Sequence, residues 1–153
     1  MELSGILRPE AVKVFSAASS KKRLFQEIGE LANAAYSLNA QATVEALLER
    51  ESLGPTGVGK GVALPHARLP DLQSVIGIFV MLEKPIDFGS IDRQPVDIAF
   101  ALFAPEEAGV EHLKALALVS RTLREPALCS KLRANLDSTT LYAILTESQQ
   151  QAA

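Results

Sequence analysis

The spacing of apolar positions in the first third of the chain predicts two helices. Through residues 20–37, apolar side chains recur at the three- and four-residue intervals of one helix face. Ser19 or Ser20 can cap this helix, because a serine hydroxyl accepts hydrogen bonds from the unpaired backbone N–H groups of the first turn. Asn39 can cap a second helix in the same way, and we expect that helix to end near residues 50–53.

The middle of the chain carries the pattern of buried strands. Residues 75–82 and 96–103 are nearly continuous apolar runs rich in β-branched side chains, which is typical of central strands covered on both faces. A shorter strand is expected at residues 62–64. Near the N-terminus we expect a turn that ends at Pro9, followed by a short strand at residues 12–15.

The last third of the chain predicts three helices. The first spans about residues 109–124, and the second begins at Pro126, a residue suited to the first helical turn. The third is capped by Asp137 or Ser138. In the first of these helices the following residues are predicted to share the inner face: Leu113, Leu116, Ser120 and Leu123.

Helices, strands and helices follow one another with no repeat and no linker, which predicts a single α/β domain with a mixed β-sheet and helices packed on both faces. We assign this domain to residues 3–147 and expect a frayed tail at residues 148–153. A length of 153 residues and a hydrophobic fraction of 48% suit one compact core. Cys129, the only cysteine, cannot form an internal disulfide, which fits a reducing compartment.

Charge and hydropathy narrow the classes of partner. The net charge is −3 and the one basic cluster, residues 21–23, is short, so nucleic acid is not expected as the main partner. No apolar run approaches the ~20 residues that span a bilayer. The N-terminus also lacks the basic segment and apolar core of a signal peptide. We therefore expect a soluble, cytoplasmic protein without direct membrane insertion.

Residues 54–60 match the start of the phosphate-binding loop G-x-x-x-x-G-K-[ST]. The next position is Gly61, which lacks the hydroxyl that such loops use to bind Mg²⁺, and the segment follows a predicted helix instead of a strand. A nucleotide-binding switch is therefore an alternative function for this segment, but one whose sequence motif is incomplete. Glycine-rich backbone can also point several N–H groups at one anion, and Thr56 adds a hydroxyl, so the segment suits an oxyanion cradle or a plain connector.

Two histidines and one arginine are the candidate groups for phosphate chemistry. His66 follows the predicted strand at residues 62–64, and a neutral imidazole is a nucleophile that can form covalent intermediates. His112 lies in the first turn of a predicted helix, where the helix N-terminus disfavours the protonated ring. A neutral ring can donate one hydrogen bond to a phosphoryl oxygen. Arg50, near the end of the second helix, offers a planar set of donors suited to phosphate.

Taken one at a time, these residues also have ordinary explanations. His66 and His112 can be packed or surface histidines, and Arg50 can be an exposed cation at a helix end. No H-E-x-x-H or Cys/His ligand spacing is present, so the sequence predicts no metal site and no cofactor. Composition and spacing by themselves leave the function open.

A longer block, residues 49–68, reads ERESLGPTGVGKGVALPHAR. Its arginine, glycine-rich stretch and terminal Ala-hydrophobic-Pro-His resemble the phosphorylation site of the fructose/mannitol-type enzyme IIA domains of the bacterial phosphotransferase system. This resemblance implies that His66 is phosphorylated at Nε2, as a tele-phosphohistidine, and that Arg50 and Thr56 steady the phosphoryl oxygens. The predicted phosphate-binding set is completed by the loop glycines Gly57, Gly59 and Gly61.

Two further blocks are similar to the same family. Residues 111–116 resemble the segment that carries the family's second active-site histidine, which implies that His112 assists without being phosphorylated. Residues 92–97, followed by an apolar strand, also resemble the family. The opening Leu-x-x-Ile-Leu-x-Pro and the single-domain organisation resemble its nitrogen-regulatory branch.

Resemblance to that branch implies a phosphotransferase component with a regulatory output. It would receive a phosphoryl group from the phosphocarrier HPr, or from the nitrogen-branch relative of HPr. It would then control target proteins such as kinases or transporters, in nitrogen, potassium or carbon metabolism, through its phosphorylation state. Three alternatives stay open: a fructose- or mannitol-specific enzyme IIA that passes phosphate to an enzyme IIB, a nucleotide-binding switch built on residues 54–61, and an interaction module without phosphate chemistry.

Overall fold

The computed structural model describes the backbone of residues 1–152 and the side chains of residues 1–147, so the frayed tail predicted at 148–153 lies outside the residues described in full. The helices of the described region are α1 (Lys21–Tyr36), α2 (Ala40–Glu51), α3 (Val110–Arg124), α4 (Pro126–Arg133) and α5 (Ser138–Ala152). Its strands are β1 (Leu7–Phe15), β2 (Gly57–Gly59), β3 (Val62–Ala63), β4 (His66–Leu69), β5 (Ile76–Ile86) and β6 (Val96–Pro105). A short 3₁₀ turn, Leu3–Gly5, precedes β1.

The strands form one mixed sheet in the order β1-β5-β6-β3-β2, and β4 also pairs with β6. β5 and β6 are antiparallel neighbours at its centre, whereas β1 runs parallel to β5, and β3 and β4 run parallel to β6. Every residue of 76–82 and 98–104 is buried. Because successive strand residues point to opposite faces, both faces of the sheet are covered. The predicted α/β fold with a mixed sheet is confirmed.

The N-terminal strand is longer than the sequence pattern predicts. The predicted turn is present at Leu3–Gly5 but ends before Pro9, which lies within β1. β1 lies at an edge of the sheet, and its register against β5 shifts between Leu7 and Val12. Proline is tolerated at such a place because an edge strand does not need every backbone N–H for its ladder.

The glycine-rich segment contains a β-hairpin that the pattern does not predict. β2 and β3 are antiparallel and are joined by Lys60 and Gly61. The φ angles of these two residues are 56° and 83°. A two-residue turn with positive φ at both positions matches the right-handed twist of the strands that it joins. The segment therefore turns back on itself instead of forming an open loop.

β3 and β4 follow the same line along β6 and are separated by Leu64 and Pro65. Val62 pairs with Ile98 and His66 pairs with Leu102, so the register is the same on both sides of the proline. Proline has no N–H to donate, but its carbonyl oxygen accepts the N–H of Leu102 at 2.9 Å. His66 lies just past β3, as predicted, and it is also the first residue of β4, a strand that the pattern does not predict.

The inner face predicted for helix α3 is confirmed only in part. Leu123 is buried and Leu116 and Ser120 are half-buried. Leu113, however, is 67% exposed, which corrects its predicted position. The buried residues of α3 are His112, Ala115, Leu118, Val119 and Leu123. Most of them recur at three- and four-residue intervals and form one stripe that packs towards the sheet. A histidine therefore occupies the core-facing position next to the exposed leucine.

Side-chain caps fix where three of the helices begin. Ser20, Asn39 and Asp137 each accept a first-turn backbone N–H, at 3.1, 2.8 and 3.0 Å, as the sequence predicts. Helix α4 begins at Pro126, also as predicted. Within the described residues, none of the helices has the length and apolar character needed to cross a membrane.

Candidate functional site

The acceptor candidate, His66, is half-buried at the start of β4. Its Nδ1 lies 2.9 Å from the carbonyl oxygen of Leu64. Since a carbonyl oxygen can only accept, we assign the proton of the neutral ring to Nδ1, and this assignment leaves a lone pair on Nε2. An imidazole nitrogen with a free lone pair is a nucleophile. The hydrogen bond thus leaves Nε2 as the reactive nitrogen.

The second histidine, His112, lies against the first. The centroids of the His66 and His112 rings are 5.7 Å apart, with an angle of 75° between the ring planes. His112 is only 6% exposed, and its Nε2 has no hydrogen-bond partner among the described residues. Burial, followed by the charges of His66 and Arg68, lowers the pKa of His112 below its ordinary value of 6.5. The ring is therefore neutral at pH 7, and a buried polar atom lacks a partner.

Arg50 is held on the glycine-rich segment at the end of α2. Its Nη1 donates to the carbonyl oxygen of Gly54 at 3.1 Å, and its side chain is half-buried. A guanidinium has five N–H donors, and this bond uses one of them. Arg50 is thus fixed at the start of the segment while it retains capacity to bind an anion.

Thr56 and Gly57 have other partners than the predicted phosphate. The backbone N–H and the hydroxyl of Thr56 donate to the carboxylate of Glu51 at 2.9 and 2.6 Å. Both donors that the sequence assigns to phosphoryl oxygens are therefore already satisfied.

Gly57 lies directly against Ser90, and a Cβ at this position would overlap the Ser90 side chain. The glycine is required here for close packing between the hairpin and the segment before β6.

Gly59 and Gly61 lie at the tip of the hairpin and not beside the histidines. Gly61 precedes His66 by five residues, or roughly 16 Å of extended chain. A Cβ at Gly59 would lie 3.2 Å from the carboxylate of Asp92, which would repel a phosphoryl group. A Cβ at Gly61 would lie 2.6 Å from Nη2 of Arg133, whose guanidinium is already paired with the carboxylate of Asp97. The predicted cradle of backbone amides is therefore not brought together at these two glycines.

Comparison with known families identifies the class of protein. Residues 5–148 match the model of the family described as "Phosphoenolpyruvate-dependent sugar phosphotransferase system, EIIA 2". The chain belongs to this EIIA family. As an EIIA component it takes part in phosphoryl transfer through a histidine, and membership implies that an HPr-like protein supplies the phosphoryl group.

Individual relatives cover nearly the whole of this EIIA chain. It is 46% identical over 145 residues to a nitrogen regulatory protein of Bradyrhizobium diazoefficiens, covering 95% of each chain. Over 150 residues it is 41% identical to a nitrogen regulatory protein of Escherichia coli, covering 97% of this chain and 92% of the relative. The crystal structure of nitrogen regulatory protein IIA-Ntr from Neisseria meningitidis superposes with a TM-score of 0.85 at 35% identity, over 93% of this chain and 97% of that one.

Arg68 joins the two histidine-bearing elements of the EIIA chain and is missing from the predicted site. Its Nη1 donates to the carbonyl oxygens of Glu106 and Ala108 at 2.9 and 2.6 Å, which ties β4 to the segment leading into α3. Arg68 follows His66 by two residues, so the two side chains share one side of the strand. A prediction of strand β4 would have revealed this from the two-residue period.

The alternative of a nucleotide-binding loop does not match the geometry of residues 54–61. A phosphate-binding loop of that kind opens a helix, whereas this segment closes a hairpin. The backbone N–H of Lys60 donates to the Asp92 carboxylate at 2.8 Å instead of pointing at an open anion site. Across the residues that the structure describes, no group of three or more His, Cys, Asp or Glu side chains could hold a metal ion.

Proposed function

We propose that this EIIA chain is a regulatory phosphoacceptor that takes a phosphoryl group on Nε2 of His66. The observation that carries the proposal is the pairing of two imidazoles of different character. His66 has Nδ1 bonded to a carbonyl oxygen, and it faces a buried, neutral His112 whose Nε2 has no partner among the described residues. This arrangement provides a nucleophile and, beside it, an imidazole nitrogen that in its N–H form can donate to a phosphoryl oxygen.

The chemistry asks the protein mainly for positioning and electrostatics. The lone pair of Nε2 forms a bond to phosphorus while the bond to the donor's nitrogen or oxygen breaks, and that electron pair leaves with the donor. The proton of His66 stays on Nδ1 throughout, hydrogen-bonded to the Leu64 carbonyl oxygen. The transferred group then carries roughly −1.5 to −2 charges. In its Nε2–H tautomer His112 can donate to one phosphoryl oxygen, and Arg50 has donors for another.

Regulation is favoured over sugar transport by the relatives that the chain matches. The relatives in Bradyrhizobium diazoefficiens and Escherichia coli are named nitrogen regulatory proteins, and each aligns over nearly its full length. We therefore propose that HPr or its nitrogen-branch relative is the donor. We also propose that target proteins, such as kinases or transporters in the cytoplasm, bind one phosphorylation state of this chain.

A phosphotransfer assay tests the acceptor. The purified chain is incubated with enzyme I, HPr and phosphoenolpyruvate, and the product is analysed by intact mass and by its lability in acid. The wild type should gain one acid-labile phosphoryl group, and His66→Ala should gain none. An adduct that persists in His66→Ala would refute the assignment.

The same labelled protein separates regulation from transport. It is mixed with purified fructose- and mannitol-type enzyme IIB domains, and the transfer of phosphate to them is followed over time. A regulatory protein should retain its label for much longer than a sugar-specific enzyme IIA assayed in parallel. Transfer as fast as that of the sugar-specific control would support the transport alternative and overturn the regulatory one.

A further inference from the structure

Glu51 is a buried carboxylate with a full set of partners beside the candidate site. It is the last residue of α2, and its side chain is 7% exposed. One oxygen accepts the Thr56 backbone N–H at 2.9 Å and the Lys21 ammonium at 2.8 Å, and the other accepts the Thr56 hydroxyl at 2.6 Å. Such an ion is costly to bury unless it is fully hydrogen-bonded, so the local fold is organised around it.

A continuous series of hydrogen bonds links this carboxylate to the acceptor ring. Thr56 donates to Glu51, and the carbonyl oxygen of Thr56 accepts the N–H of Leu64 at 2.9 Å. The carbonyl oxygen of Leu64 in turn accepts Nδ1–H of His66 at 2.9 Å. Every bond points the same way: each donor lies on the His66 side and each acceptor on the Glu51 side. The series therefore ends with an anion at one end and the imidazole proton at the other.

We propose that Glu51 is a positioning residue that holds His66 in its Nδ1–H tautomer through Thr56 and Leu64. This inference rests on the proposed function of His66 as the phosphoacceptor. The bonds to Glu51 fix the backbone of Thr56, the carbonyl oxygen of Thr56 holds Leu64 by its N–H, and Leu64 presents its own carbonyl oxygen to Nδ1 of His66. A correctly placed acceptor at Nδ1 fixes the ring plane and keeps the lone pair on Nε2.

Lys21 completes the arrangement from the opposite side. Its ammonium binds Glu51 and also stands 4.2 Å from the centre of the Phe88 ring. The cation neutralises the carboxylate but leaves the Thr56 donors in place. The placement of the Leu64 carbonyl oxygen therefore depends on the Glu51 carboxylate and on the Thr56 donors, and both can be varied.

The main test compares Glu51→Gln with Glu49→Gln. Glu49 lies on the same helix and is exposed, so its substitution makes the same change of charge away from the site. The ratio of Nδ1–H to Nε2–H forms of His66 is measured by ¹⁵N NMR of the imidazole nitrogens at pH 8. We expect this ratio to fall about threefold in Glu51→Gln and to stay at the wild-type value in Glu49→Gln.

Phosphoryl transfer from HPr is measured on the same samples. We expect the rate to fall about tenfold or more in Glu51→Gln, since misplacing a reacting group by 1 Å costs about 10²-fold. Glu49→Gln should transfer at the wild-type rate. A slower rate with an unchanged tautomer ratio would indicate a purely structural role, and it would overturn the proposal.

Substitutions at Thr56 keep the test decisive if Glu51→Gln folds poorly. Thr56→Ser retains the hydroxyl and should keep both the wild-type tautomer ratio and the wild-type rate. Thr56→Val loses one of the two bonds to Glu51 but keeps the backbone N–H, so it should show a part of the Glu51→Gln effect on both measurements. A Thr56→Val variant that is slower than wild type with an unchanged tautomer ratio would overturn the proposal. If the wild type accepts no phosphoryl group at all, the proposed function fails, while the NMR measurement still decides the role of Glu51.

Discussion

Replacing His112 with leucine should make the protein more stable and a poorer phosphoacceptor at the same time. The histidine is almost fully buried, and its Nε2 has no partner among the described residues. A buried polar atom of this kind lowers stability, because it loses its hydrogen bonds to water on folding and gains none. Leucine has a similar volume and no polar atom, so it should fill the site without that cost.

The size of the effect follows from three contributions. Removing an unsatisfied buried polar group stabilises by about 1–3 kcal/mol. Losing the edge-on contact between His112 and His66 costs about 0.5–1.5 kcal/mol. The better helix propensity of leucine adds a few tenths of a kcal/mol, at most about 0.7. We therefore expect His112→Leu to raise the free energy of unfolding by about 1 kcal/mol, which corresponds to roughly 2–4 °C in Tm.

Urea unfolding at pH 7.5 measures this change. The chain has no tryptophan, so circular dichroism at 222 nm is the suitable signal. The urea midpoint should rise while the slope of the transition stays constant, as expected for a change in stability alone. Leu113→His is the matched control, because it places an imidazole on the exposed side of the same helix and should change stability by less than about 0.5 kcal/mol.

The dependence on pH gives a second, independent check. Burial lowers the pKa of His112, so the folded wild type resists protonation more than the unfolded chain does. Its contribution to stability is present above the unfolded pKa of about 6.5 and is lost as pH falls through the lower folded value. The advantage of His112→Leu should therefore grow below pH 6.5. A variant less stable than wild type at pH 7.5, or an advantage that shrinks on acidification, would refute the reasoning.

Two structural substitutions test the packing around the sheet. Tyr36→Phe should destabilise by about 1–3 kcal/mol in urea unfolding, because the hydroxyl accepts the N–H of Arg8 at 3.0 Å and donates to the carbonyl oxygen of Gly77 at 2.8 Å. Gly57→Ala should destabilise by about 1–3 kcal/mol through overlap with Ser90, and the added substitution Ser90→Gly should recover part of the loss. An unchanged midpoint in either single variant would contradict the packing described.

The long elements are predictable from the sequence because their patterns are local. Helix α1 and the central strands β5 and β6 carry strong periodicity or nearly continuous apolar runs over eight or more residues. The hairpin and β4 are two to four residues per strand, and β3 and β4 depend on pairing with β6, more than 30 residues further along the chain. The local pattern of apolar residues does not indicate which strands pair when they are so far apart in the sequence.

The buried face of α3 shows a second reason why the sequence pattern mispredicts part of the structure. Leucines at 113 and 116 suggest one face by hydropathy alone, whereas the buried stripe contains His112, a residue that hydropathy counts as polar. The burial predicted from hydropathy is thus wrong where a polar residue occupies a core position. Positions of this kind concentrate at functional sites, where local rules of stability are broken.

The partners of Thr56 and Arg50 depend on the folded loop. Thr56 and Glu51 are five residues apart, and both are visible in the sequence, but their hydrogen bonds require the turn of the chain at Gly54. The φ of Gly54 is 157°, in a region that side-chain-bearing residues rarely adopt. The sequence block therefore identifies the right segment, while the assignment of donors within it needs coordinates.

The hydrogen-bond donors near His66 differ in whether they already have a partner, and this indicates which of them could bind phosphoryl oxygens. The donors of Thr56 are occupied by Glu51. We therefore propose that the phosphoryl oxygens bind side chains that retain unused donors, namely His112 and Arg50. Among the described residues, Nε2 of His112 has no partner, and this polar deficit is one that a phosphoryl oxygen would relieve. We infer that this deficit biases the free energy of transfer towards the phosphorylated form, and His112→Leu should shift the transfer equilibrium with HPr back towards the donor.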